Sequence, residues 1–167
     1  TQGSDEPDAD PVLLTKIGQT PSLADFQIGE LKSFQEGLSR NQRREFVQAI
    51  NTSAHGFNVA ACVHYRRVFE SILEETKVEY MKDSGLSDWP DYEAADTAGH
   101  IRMLKSRLPA FMGDHPQLYR ILSIGIHSLT EEECADELPL LRKSIEMIAK
   151  QHVVLKREAK DQLLAYA

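Results

Sequence analysis

The chain has 167 residues, 41% of them hydrophobic and 27% charged, and a formal net charge of −7. That length supports one domain with a single core, and no apolar run approaches the roughly 20 residues a membrane-spanning helix needs. The acidic balance argues against a surface devoted to gripping a phosphate backbone, which calls for clustered Lys and Arg.

The first ten residues, TQGSDEPDAD, are polar and acidic, with none of the basic and apolar regions of a signal peptide. A cytoplasmic location is therefore expected. The sequence does not begin with Met, and the expectation is a segment cut from a longer protein. Cys62 and Cys134 sit in apolar helical settings with no zinc-ligand spacing to another Cys or His. They are expected to be buried and reduced. No metal site and no cofactor are expected: His100 and His115 lack partners at ligand spacing, and no Gly-rich phosphate loop is present.

Residues 1–22 carry Asp5, Glu6, Asp8 and Asp10 among Pro7, Pro11 and Pro21, and read as an acidic linker or tail. The helical domain is placed at 23–167. Ser22 is a candidate cap for a first helix carrying Leu23, Phe26, Ile28 and Leu31 and running to about Leu38. Ser39 and Gln42 form a capping box for a second helix through Phe46, Ile50 and Ala54, ending near Gly56. From Phe57 to Lys82 no Gly or Pro intervenes, and Cys62, Tyr65, Phe69, Ile72, Leu73, Thr76 and Tyr80 share one stripe. Arg66, Arg67, Glu70, Glu74 and Glu75 lie off that stripe, spaced for ion pairs on a solvated face.

Asp83–Thr97, with Gly85 and Trp89-Pro90, is expected to be a loop. Its Trp89 and Tyr92 make it the candidate recognition surface or lid. A shorter helix follows from about Ala98 to Leu108, with Ile101, Leu104 and Leu108 on its apolar face. The stretch Leu118–Cys134 predicts the end of one helix, a corner and the start of the last helix. Thr130 and Glu133 there form a capping box, Leu129 is placed to staple onto Cys134, and Glu131–Glu133 match the helix dipole. The last helix carries Leu138, Leu141, Ile145, Ile148, His152 and Leu155 on a heptad-like seam, with Pro139 inside it. No segment alternates with the two-residue period of a strand. The fold expected is all-α, a four- to five-helix bundle with a long C-terminal helix. Phe69, Ile72, Leu104, Leu122, Ile145 and Ile148 are expected in its core.

Two stretches resemble a known family. CVHYRRVFESILEE, Cys62–Glu75, is similar to the long second helix of bacterial HEPN-type domains, particularly the DUF4145-like group. His100–Ile148, with its GIH, leucine and EEEC signature, resembles the C-terminal half of small bacterial proteins of that kind. The resemblance implies a helical bundle that forms homodimers. For the wider superfamily it also implies a metal-independent ribonuclease site built on Arg-x4–6-His across the dimer interface. In that motif the His serves as general acid/base or orients the 2′-hydroxyl, and the Arg steadies the phosphate.

Arg120 and His127 fit that spacing and share one helix face, about 10 Å apart along the axis. The alternative for His127 is a corner histidine bonded to a carboxylate such as Glu131, and for Arg120 a surface or interface arginine. Arg40, Arg43 and Arg44 are the densest basic cluster and the first place to look for RNA contacts, although the acidic charge disfavours RNA as a partner. The apolar stripe continues past His152 through Leu155, Ala159, Leu163 and Tyr166, beyond what a compact bundle can cover. The expected protein is thus a dimerising, non-catalytic helical module of a larger bacterial protein, with a defence or stress role. Its C-terminal helix and His152 lie at the dimer seam. The alternative is a metal-independent endoribonuclease using Arg120 and His127.

Overall fold

The uninterrupted stripe from Cys62 to Thr76 becomes the central element of the computed structural model, which describes residues 19–108 and 129–165. Six α-helices occur among the described residues: α1 Leu23–Leu31, α2 Arg40–Ala54, α3 Asn58–Ser84, α4 Pro90–Glu93, α5 Thr97–Met103 and α6 Glu131–Ala165. A 3-10 turn, Gln35–Gly37, joins α1 to α2. No strand occurs among these residues, and the all-α expectation holds. Two short helices, α4 and α5, take the number past the four or five expected.

Local chemistry starts most of these helices. Ser22 and Asp25 cap α1 reciprocally, with Ser22 N–H donating to Asp25 Oδ2 at 2.8 Å and Asp25 N–H to Ser22 Oγ at 3.1 Å. Ser39 and Gln42 do the same for α2. Gln42 is also buried, and its Nε2 donates across to Ser71 Oγ on α3 at 3.2 Å. Asp96 Oδ1 accepts from the Gly99 amide to open α5, and Thr130 and Glu133 close their box at the head of α6. Gly85, at φ 67°, ends α3 in the left-handed conformation that glycine adopts without strain.

α2 and α3 form an antiparallel hairpin, because only His55–Phe57 separate them. Phe46 packs edge-on to Tyr65 at 5.3 Å and to Phe34 at 5.5 Å, so one aromatic row ties the 3-10 turn, α2 and α3 together. α3 and α6 run parallel. At one end Glu131 meets the start of α3, where its carboxylate accepts from the amides of Asn58 at 2.5 Å and Val59 at 3.0 Å. Phe57, the N-cap of α3, supplies no side-chain bond of its own. The first residue of α6 thus caps the longest hairpin helix from outside.

Between these helices lies the core. Phe46, Phe69, Ile50, Ile72, Leu104, Leu141, Ile145 and Ile148 are all fully buried. Each such side chain contributes about 1.5–3 kcal/mol through removal from water. Five of the six core residues expected from the sequence are among the buried ones; the sixth, Leu122, lies outside the described residues. The buried hydroxyls of Thr76 and Ser144 donate to carbonyls one turn back, Ile72 O at 2.8 Å and Leu140 O at 2.7 Å.

Three expectations are corrected. α1 stops at Leu31 rather than near Leu38, because the chain tightens into 3-10 bonds from Lys32 to Phe34 and Ser33 Oγ takes the Glu30 carbonyl. That turn swings Phe34 and Leu38 into the core. α5 ends at Met103 rather than Leu108, yet Leu104 and Leu108 stay buried on the turns that follow. The expected loop Asp83–Thr97 contains α4, started by Pro90 in its first turn.

At Gly37 the 3-10 turn meets α6 so closely that an added Cβ would lie 1.9 Å from the carbonyl oxygen of Ala149. Gly37→Ala is expected to destabilise the protein by about 1–3 kcal/mol, since backbone must shift to admit the methyl group. Glu131→Ala is expected to cost about 0.5–2 kcal/mol through the uncapped amides of α3, and Glu132→Ala clearly less. Urea denaturation of the three variants checks both statements.

Candidate functional site

Arg120 and His127, the residues expected to carry catalysis, lie outside the described residues. Trp89 and Tyr92 do not form an open recognition surface. Trp89 is half-buried and Tyr92 only 3% exposed. Tyr80, Trp89, Tyr92 and His100 form a continuous stack of rings, with centroids 4.8, 5.1 and 4.0 Å apart in that order. His100 Nε2 is 2.8 Å from the Tyr92 carbonyl, and Lys77 Nζ lies 5.1 Å from the centre of the Tyr92 ring. Lys77 also pairs with Glu93, while Arg107 sits over Tyr80 and pairs with Asp83 at 2.7 Å. Burial pushes the Tyr92 phenol up to about 12. These aromatics fasten the α3–α5 connection to the end of α3, because burying flat rings against one another stabilises more than exposing them.

Arg40, Arg43 and Arg44 stand on the first two turns of α2, with Arg40 and Arg44 exposed and Arg43 half-buried. Acidic groups interleave with them. Glu45 accepts from His64 Nδ1 at 2.7 Å and lies 3.7 Å from Arg67, and Glu70 pairs with Arg66 at 2.8 Å. The His64 hydrogen bond is the main cause that holds the Glu45 carboxyl below its usual value. The face is a mixed-sign surface with its arginines at one end.

α6 shows two different surfaces. Leu138, Leu141, Ile145, Ile148 and Val153 are buried against this chain's own core. Beyond them the helix emerges: Val154 is 52% and Leu155 48% exposed. α3 is about 40 Å long and α6 about 52 Å. Since the two start together and run parallel, the last part of α6 extends about 12 Å past the end of α3. His152, expected at a dimer seam, is half-buried within its own chain, with Nδ1 3.3 Å from the Gly37 carbonyl.

Two clefts flank α6. One, of about 340 Å³, lies between α3, the 3-10 turn and the emerging part of α6, and brings His152 near Glu75, Glu79 and Arg107. The other, of about 430 Å³, opens between α1, the α2–α3 corner and the first half of α6. Tyr65, Leu138, Pro139 and Arg142 line it. Comparison with family models, with curated proteins and with solved structures gives no match for this chain. No helix among the described residues is long and apolar enough to cross a membrane.

The second cleft and the pairing of the two cysteines were not read from the sequence. Cys62 and Cys134 are 72 residues apart, but both lie one turn into parallel helices that start together, and Cys62 Sγ is 3.8 Å from the Cys134 carbonyl. Both are free and buried, as expected. Burial pushes the Cys62 thiol up to about 12 and also raises Cys134. The only advance signal was that each follows a helix start at the same interval, which becomes informative once the helices are known to be parallel.

Neither thiol is a ready nucleophile, because the reactive thiolate is disfavoured where water is excluded. Iodoacetamide at pH 8 is expected to label the native protein slowly and the urea-unfolded protein rapidly at both cysteines, as peptide mapping can show. The raised Cys62 value also makes stability present below about pH 9 decline as the pH rises toward 12, since only the unfolded chain loses its thiol proton in that window. Cys62→Ala should flatten that part of the stability curve.

Proposed function

We propose that this chain is a dimerising, non-catalytic helical interaction module of HEPN-like character, with the emerging part of α6 as its contact with a second copy. The observation that carries the reading is the pair Val154 and Leu155, adjacent and about half exposed on the last part of α6 where its buried seam ends. Apolar side chains exposed side by side on such a helix are commonly covered by a partner.

A second copy is favoured as the occupant because the same part of α6 carries both charge signs. Arg157, Glu158 and Asp161 are all exposed there. Two such helices lying antiparallel bring the arginine of each toward the carboxylates of the other, and the apolar residues between them leave water together. The twofold arrangement reuses one surface twice, which is how most small homodimers close.

Sedimentation equilibrium at tens of micromolar is expected to give twice the chain mass. The double substitution Val154→Glu and Leu155→Glu, at exposed positions that the fold does not need, is expected to give a monomer with unchanged helical circular dichroism. A monomeric parent protein, or a double variant that still dimerises, would overturn the proposal.

A further inference from the structure

Tyr65 is 2% exposed, yet its hydroxyl has no hydrogen-bond partner among the described residues. No fully buried side-chain oxygen or nitrogen lacks a partner among them. The Tyr65 oxygen must therefore reach open space, and the space it reaches is the cleft of about 430 Å³ that the residue lines. The ring is held from behind by Phe46, so the hydroxyl has a fixed position on the cleft floor. Burial raises its pKa, which keeps it protonated and able to donate.

Two neighbours on α6 complete the site. Arg142 lines the same cleft, and its charge acts on Tyr65. Its Nη2 donates to Glu30 at 2.5 Å, which leaves other guanidinium donors free to face a ligand. One turn earlier stands Pro139, which has no amide proton to give the Ala135 carbonyl. Its ring also crowds that carbonyl away from the helix axis. Ala135 and Pro139 both line the cleft, so a backbone acceptor opens into it about two helical turns before Arg142, whose long side chain leans back along the helix toward it.

The charges fix the ligand class. Glu30, Arg142, Lys143 and Glu146 line the cleft and sum to zero. Burial acts to raise Glu146, but hydrogen bonds from Lys150 and Lys143 outweigh it and hold the carboxyl below its usual value, so it stays charged. A ligand with net charge of either sign would be left unbalanced there, whereas a molecule carrying both signs meets a donor group and an acceptor group on the same stretch of α6. Leu138, Pro139 and the Tyr65 ring add an apolar wall.

We propose that this cleft binds a small zwitterion with an aliphatic body, of amino-acid size. Its carboxylate takes the Tyr65 hydroxyl and the Arg142 guanidinium, and its ammonium takes the Ala135 carbonyl. A peptide terminus carries only one of the two charges at the reacting distance and is not the ligand this geometry fits. The site is independent of the α6 overrun, so its failure leaves the dimer reading untouched.

Isothermal titration calorimetry with three probes of one carbon skeleton tests it: L-leucine, 3-methylbutylamine, which lacks the carboxylate, and 4-methylpentanoate, which lacks the ammonium. Saturable binding of L-leucine is expected at millimolar concentration or below, with each of the other two at least roughly tenfold weaker. Tyr65→Phe removes a hydroxyl that bonds none of the described residues, so its urea stability should match the parent while leucine affinity falls roughly tenfold. Arg142→Lys, which keeps the charge but loses the fork of donors, should also weaken leucine binding. No saturable binding of L-leucine, equal binding of all three probes, or a Tyr65→Phe variant with parental affinity would overturn the proposal.

Discussion

The parallel pairing of α3 and α6 is the constraint on which the other contacts depend. Two helices that start at the same level present their unsatisfied amides at the same end, where no carbonyl of either can reach them. The protein resolves this with Glu131, whose carboxylate bonds the first amides of α3 while Thr130 and Glu133 cap α6 itself. One corner therefore fixes the register of both helices. From there Cys62 lies beside Cys134, and the buried stripe of α3 meets the seam Leu141, Ile145 and Ile148 along its length.

Parallel helices need a long crossover, and the chain uses the stretch after α3 to return. The ring stack from Tyr80 to His100 secures the first part of that return, which explains why the aromatic residues of an apparent loop are buried. On the opposite side of α6 the 3-10 turn fits against Ala149 only because residue 37 has no side chain. This close approach in turn places His152 on the Gly37 carbonyl and ends the covered part of α6 just beyond it. Beyond that point Val154 and Leu155 are about half exposed, and α6, longer than α3, runs on past its end.

The same packing leaves a cleft where α1 is too short to cover the first half of α6. Had α1 run to Leu38, its side chains would have had to share that volume. Instead it turns away after Leu31, and Pro139, Arg142 and the Tyr65 hydroxyl are left around open space. A proline inside a helix has a cost to folding, and here it stands beside the one place where the Tyr65 hydroxyl meets the cleft.

The sequence by itself determined the helices and most of what each buries. The three-and-four spacing of Cys62, Tyr65, Phe69, Ile72 and Leu73, and of Leu138, Leu141, Ile145 and Ile148, names the core faces because helical periodicity is a property of neighbours along the chain. Capping at Ser39 and Thr130 was legible for the same reason, since a capping box spans four residues. What only the tertiary structure decided are the matters of which face meets which. Trp89 and Tyr92 turned inward because α3 offered Tyr80 and Lys77 to stack upon. Glu131 became a cap for a helix that begins 73 residues earlier, and His152 found a carbonyl 115 residues away. Contacts at such separations leave no periodic trace in a single sequence, because nothing local requires them; they follow from helix lengths, directions and close approach, which exist only once the chain has packed.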